Sequence, residues 1–314
     1  MRRPAFIFHP EYGPEIGAHV FPIEKYALTR RRLLDEGDTL PDDWLEPEPA
    51  TRDELLLVHT REYLEDLEAC RWTPRTRFSE FPLTPEIVRA GVRGAGGSVR
   101  ACREALERGF AVNCGGGLHH AFADLAAGFC YINDIAVGVR AVQHDRLVRR
   151  AAVIDCDLHQ GNGTARIFSG DDSVFTFSIH QENLYPAKEK SDWDIGLEDG
   201  AGDERYLFAL GRALPRLMEM AQPDLVVYQA GADPYEDDQL GNLGISREGL
   251  RERDRLVLGE CARRGVACAV TFGGGYARRL ADTVTIHVNT CRMALEIAGY
   301  GRAQAAPDTG KAPG

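Results

Sequence analysis

The chain has 314 residues, 44% of them hydrophobic, which is enough for a sizeable core and within reach of one large α/β domain. A formal net charge of -11 argues against a nucleic-acid partner, because phosphate binding needs a basic patch. No apolar run approaches the length of a membrane span or a signal peptide, and the eight cysteines form no C-x-x-C pair, so the expectation is a cytoplasmic protein with reduced thiols and no membrane partner.

Taken in chain order, AFIF from Ala5 reads as a first strand. LPDDWLEPEP, Leu40 to Pro49, reads as an acidic surface loop. Thr84 is placed to cap a helix with Pro85 at its first position, running to Gly109. The strand FAVNC follows from Phe110, then a helix over CYINDIAVGVRAVQH and the strand AAVIDC from Ala151. SVFTFSI, DLVVYQA and VACAVTF supply further strands, separated by the helical patterns RYLFALGRALPRLMEMA and SREGLRERDRLVLGECARR, the second capped by Ser246. Continuous apolar strands alternating with helices predict a central parallel sheet flanked by helices. No linker interrupts 1–302, which read as one domain, and the small, Pro- and Gly-containing tail 303–314 is expected to be disordered.

The polar clusters fall just past strand ends, where open parallel sheets place their ligand crevice. In AAVIDCDLHQGNG, Asp155, Asp157 and His159 alternate and therefore face the same way. Carboxylates at the end of a buried strand need compensation, and a cation supplies it. Asp157, His159 and Asp233 offer two carboxylates and an imidazole, a set suited to a borderline divalent ion, with zinc (Zn2+) first and an open position left for chemistry. Asp233 precedes a proline, so it fits a turn or a helix cap equally well. His119 and His120 follow three glycines; as a pair they can serve one bound water, or be ordinary loop residues. Asp155 and Asn162 are available to orient them. Tyr276, after the second triple glycine, either donates to an oxyanion or packs at a helix start. Acting together, these groups spell metal-assisted hydrolysis of an amide.

The set GGGLHHA, GFCYIND, DCDLHQGNGT, GADPYEDDQLGNLGIS and FGGGYA resembles the zinc-dependent histone deacetylase superfamily, from HPEYG to the helix after Tyr276. LLLVHTREYLEDL, HQGNG and LGNLGIS look most like its class IV branch and bacterial relatives. The resemblance implies the three-layer arginase/deacetylase fold. It implies zinc, or ferrous iron (Fe2+) in its place, on Asp157, His159 and Asp233. It makes His119 and His120 the acid/base pair, backed by Asp155 and Asn162 respectively, with Tyr276 polarising the scissile carbonyl. Phe129 and Tyr185 would wall a narrow acyl-lysine tunnel, and the Gly128 carbonyl would accept the substrate amide. A structural potassium ion (K+) is implied near Asp155, with backbone oxygens around Asp157, His159 and Ser178.

The implied reaction removes acetyl or longer acyl groups from lysine side chains of proteins; small acylated amines such as acetylpolyamines are the alternative substrates. A non-catalytic acyl-lysine binder would lack one of these residues, and all are present. A two-manganese, arginase-like site needs D-x-H-x-D, where this chain has Gly161, and a D-x-D that Asp233 does not provide. Asn162 stands where class I members have Asp, which leaves His120 without a negative partner and less readily protonated. Oligomeric state is left open by the sequence.

Overall fold

The structure is a computed structural model and describes residues 2–301. The expected disorder of 303–314 lies outside them. Its sheet contains β1 (Ala5–Ile7), β2 (Trp44–Leu45), β3 (Phe110–Asn113), β4 (Ala151–Asp155), β5 (Val174–Gln181), β6 (Trp193–Leu197), β7 (Leu225–Gln229) and β8 (Ala267–Thr271). Their order is β2-β1-β3-β8-β7-β4-β5-β6, and each neighbouring pair is parallel. The helices are α1 (Lys25–Asp35), α2 (Arg52–Leu56), α3 (Arg61–Glu68), α4 (Pro85–Arg108), α5 (Asp134–His144), α6 (Asn162–Ile167), α7 (Asp203–Ala221), α8 (Arg247–Arg264) and α9 (Leu280–Ile297). No helix of the described residues is long and apolar enough to cross a membrane.

Strand alternation divides the core in two. Phe6, Val112, Ile154, Val226, Tyr228 and Val270 pack in one cluster with α7, α8 and α9 residues such as Leu214, Leu258 and Ile286. Their neighbours Ile7, Ala111, Val153, Val227 and Ala269 join the other with Cys102 of α4 and Val139 of α5. Both faces are therefore apolar, which is why these strands read as unbroken hydrophobic runs. The caps stand where the sequence puts them. The Thr84 hydroxyl accepts from Ile87 N at 3.4 Å and the Ser246 hydroxyl from Gly249 N at 2.9 Å.

Three differences from the sequence reading have physical causes. The expected loop at 40–49 contains β2, which pairs with β1 through Phe6↔Trp44 and Ile7↔Leu45. Trp44 packs on Phe6 with ring centroids 5.3 Å apart, an anchor concealed by its acidic flanks. The helix expected from Cys130 begins at Asp134, because the Asn133 side chain caps it by accepting from Ala136 N. Edge strand β6, interrupted by Asp194 and Gly196, carries no continuous apolar signal.

Candidate active site

The end of β4 is shaped by successive carboxylate-to-backbone bonds. Asp155 Oδ1 accepts from Asp157 N and Asp157 Oδ1 from His159 N, both at 3.0 Å. Each is a tight side-chain turn that points the next acidic or imidazole group inward. Because β7 pairs with β4, Asp233 arrives beside them. Its Oδ1 accepts from Leu158 N at 3.1 Å, and its Oδ2 lies 3.1 Å from His159 Nδ1. Ligand-capable atoms of Asp157, His159 and Asp233, all buried, lie within 4.8 Å of one another.

Two carboxylates facing each other without water are strongly disfavoured as a bare pair. Burial, reinforced by the Asp157 charge, pushes Asp233 up to about 6. Burial works against charge on His159, yet hydrogen bonds to both carboxylates carry it up to about 10. Two oxygens and one nitrogen in a desolvated, negative cradle fit a divalent ion of zinc type.

The first glycine loop leaves β3 and runs into His119 and His120. Gly116 and Gly117 have φ of +66° and +80°, and a Cβ on Gly117 would stand 2.5 Å from Gly273 N. Glycine is what allows this loop to touch the second one, where Gly273 N donates to Gly116 O at 3.3 Å. Asp134 fixes the loop by accepting from Gly117 N and Leu118 N at 3.0 and 2.7 Å, and Asn133 Nδ2 donates to Ala121 O at 2.9 Å. His119 Nδ1 lies 2.7 Å from Asp155 Oδ2, and His120 Nδ1 lies 2.8 Å from Asn162 Oδ1 at the start of α6.

Burial opposes charge on His119, but the Asp155 and Asp157 carboxylates overcome it and raise its pKa to about 9. For His120, burial comes first, the charges of His119 and His159 add to it, and the pKa falls well below the usual histidine range. His120 is thus held neutral. Its Nδ1 proton is directed at the Asn162 oxygen, leaving Nε2 free to accept a proton.

The second glycine loop leaves β8. Gly274 N donates to Asp157 Oδ2 at 2.8 Å, and Tyr276 N donates to Asp238 Oδ2 at 2.7 Å. Lys25, fully buried in α1, donates from Nζ to Gly273 O at 2.8 Å. Burial lowers Lys25 to about 8, against the pull of Asp233, Asp157 and Asp238. The Tyr276 phenol is held neutral, first by burial and then by the Asp233 and Asp157 charges.

A cleft of about 200 Å³ reaches His120, His159 and Tyr276 between Phe129 and Tyr185. Phe129 stacks on Phe81 at 5.4 Å, and Tyr185 meets His120 edge-on at 5.3 Å. Gly128 also borders the cleft; its carbonyl already accepts from Glu80 N at 2.7 Å, which leaves one lone pair for another donor. Ser178 lies across the β4–β5 ladder from Asp155 and hydrogen-bonds His180 through its hydroxyl. The structure therefore brings together every residue the sequence singled out. Lys25, Asp134, Asp238 and Glu80 were missed: a lone charged residue gives no sign of being buried or of reaching a distant loop.

In fold, the chain is similar to a solved structure described as an HDAC homolog complexed with SAHA, with a TM-score of 0.79 and 25% identity over 95% of this chain and 84% of that one. This is the arginase/deacetylase class of α/β protein. Residues 19–291 match the family model described as histone deacetylase domain, and the chain belongs to that family of deacetylase hydrolases. An uncharacterized protein of Picosynechococcus is 38% identical over 93% of this chain and 98% of its own. Histone deacetylase 2 of Arabidopsis thaliana is 30% identical over 85% of this chain and 73% of its own.

Proposed function

We propose that the protein is a cytoplasmic, metal-dependent amidohydrolase that removes acetyl or longer acyl groups from lysine side chains. The observation that carries this reading is the convergence on one cleft of Asp157, His159 and Asp233 with a neutral His120 and a protonated Tyr276. Zinc, or Fe2+ in its place, held by Asp157, His159 and Asp233, would lower the pKa of water to about 7 and polarise the acyl carbonyl.

The chain's own groups do the rest. Phe129 and Tyr185 flank the aliphatic stem of the substrate and exclude water. The free lone pair of the Gly128 carbonyl takes the amide N–H. His120 Nε2 accepts a proton from the attacking water, while Asn162 keeps the ring in the required tautomer. Tyr276 donates its phenolic hydrogen to the oxygen on which negative charge develops. His119, backed by Asp155, places a fixed positive charge beside the same centre. As the C–N bond breaks, His120 returns its proton to the leaving amine and the acyl carbon keeps the hydroxyl. A structural K+ beside Asp155, near Asp157, His159 and Ser178, belongs to the same reading. The exposed Glu80 carboxylate at the cleft suits substrates with further positive charge, so acylated polyamines are the second substrate class.

The test is turnover by metal-loaded protein of a lysine peptide carrying acetyl and then longer acyl groups, and of acetylated polyamines. Tyr276→Phe runs in parallel and is expected to lose roughly 100-fold or more in kcat. Absence of turnover on every substrate, with metal bound, rejects the reading.

A further inference from the structure

Arg253 in α8 is 0% exposed, although the sequence around it, RERDR, reads as a solvated helix face. A buried guanidinium is tolerated only when fully paired. Its Nε and Nη2 donate to Asp254 Oδ1 at 3.0 and 2.8 Å. Asp254 is held in turn by the hydroxyls of Tyr228 and Thr290, each at 2.6 Å. The remaining nitrogen, Nη1, goes to backbone instead: it donates to Cys156 O at 3.2 Å and to Gly231 O at 2.5 Å.

Those two carbonyls have a particular place in the fold. Cys156 directly precedes Asp157, and Gly231 lies just before Asp233. They sit on adjacent strands, immediately past the end of the ladder at Asp155↔Gln229. The backbone bond from Cys156 N to Gln229 O, at 3.0 Å, closes the ladder there, and past it lie the like-charged Asp157 and Asp233 carboxylates. The spacing is close: a Cβ on Gly231 would stand 2.4 Å from Asp157 Oδ2 and 2.7 Å from Asp233 Oδ1.

We propose that Arg253 is a positioning residue for the metal centre: by bridging the Cys156 and Gly231 carbonyls through Nη1, it sets the separation of the Asp157 and Asp233 carboxylates, and with it the affinity and geometry of the bound ion. This rests on the reading of Asp157, His159 and Asp233 as ligands of a divalent metal. Lysine does not replace the clamp, because one ammonium lacks the planar fork that engages Asp254 and both carbonyls at once.

The experiment titrates Co2+ into the metal-depleted full chain, following the visible absorption of the bound ion, for wild type, Arg253→Lys and Thr290→Val. Thermal unfolding of the metal-free proteins runs alongside. Arg253→Lys is expected to weaken Co2+ binding by about 10–100-fold and to shift the absorption bands. A lower metal-free melting temperature with wild-type Co2+ affinity and spectrum would make Arg253 merely structural and overturn the proposal. Should Arg253→Lys fail to fold, Thr290→Val decides: it loosens Asp254 without touching Arg253 or a ligand. Several-fold weaker binding supports the clamp and unchanged binding overturns it. Wild-type protein that takes up no Co2+ overturns the metal reading itself, and the inference with it.

Discussion

The two triple-glycine loops look alike in sequence and do different work. Gly115–Gly117 and Gly273–Gly275 both leave neighbouring strands, and each has backbone N–H groups held by a buried carboxylate, Asp134 for the first and Asp238 for the residue after the second. The first loop carries ionisable groups whose charge is set by their neighbours: the Asp155 and Asp157 carboxylates make His119 cationic, while burial and the charges of His119 and His159 keep His120 neutral. The second carries a phenol that stays neutral because it is buried, and its usefulness depends on where its backbone stands. Tuning by partners and tuning by placement are separable, and substitution can tell them apart.

The largest expected effect is on the chemistry. His120→Ala should lower kcat by about 10³-fold, the range for a lost acid/base group. Tyr276→Phe should cost less, about 10²-fold. Equal losses, measured on one acyl-lysine peptide, would mean that the loops act as one unit. Next come the carboxylate anchors. Asp134 also accepts from the Ser98 hydroxyl, so Asp134→Ala orphans three buried donors and should cost about 4 kcal/mol in denaturant unfolding. Asp238→Ala orphans Leu240 N and Tyr276 N and should cost about 2 kcal/mol. The reverse order would mean that the second loop is the more firmly held.

A further effect, between those two in size, concerns pH. His59 accepts from Asn133 N at 3.1 Å and so supports the first loop from behind. Burial lowers it to about 4, from the ordinary histidine value of 6.5. The unfolded chain therefore binds a proton in a window where the folded one does not. The stability contribution is complete above pH 6.5 and is lost as pH falls toward 4, by up to about 3 kcal/mol. A His59→Gln variant should flatten melting temperature against pH across that window; an unchanged slope would assign it to other groups. Smallest is Asn162→Asp. A carboxylate on His120 Nδ1 favours the imidazolium, so the acid limb of kcat/KM should move to higher pH, with only a few-fold loss at the optimum. An unmoved limb would show that His120 is not the titrating base.

Most strands were legible in the sequence, and so was the cluster of Asp155, Asp157 and His159 at a strand end, because the signals are local. Ile154 and Val226 lie in runs that are apolar on both faces, and glycine marks where those runs stop. Alternation grouped Asp155, Asp157 and His159 in the sequence, although β4 ends at Asp155 and carboxylate turns rather than the strand pleat aim the next two groups. The supports were not legible. Asp134 reads as an ordinary first-turn acid of α5, yet its acceptors reach back to Gly117 and Leu118. Lys25 lies in α1 next to Glu24 and ahead of three consecutive arginines, and Arg253 sits with the buried Asp254 between Arg251 and Arg255, which do face water. A buried, paired charge and a solvated one have the same letter; only the tertiary packing separates them.

The contact between Gly116 and Gly273 has a consequence for how such a protein changes over time. With the two loops in backbone contact, and a Cβ on Gly117 excluded by its neighbour, the catalytic floor can hardly drift. The rim is under no such constraint: Val20, Glu80 and Tyr185 are exposed at the cleft. New substrate preferences can therefore be tried residue by residue at the mouth while the reaction below stays the same, a division that favours diversification of specificity over invention of new chemistry.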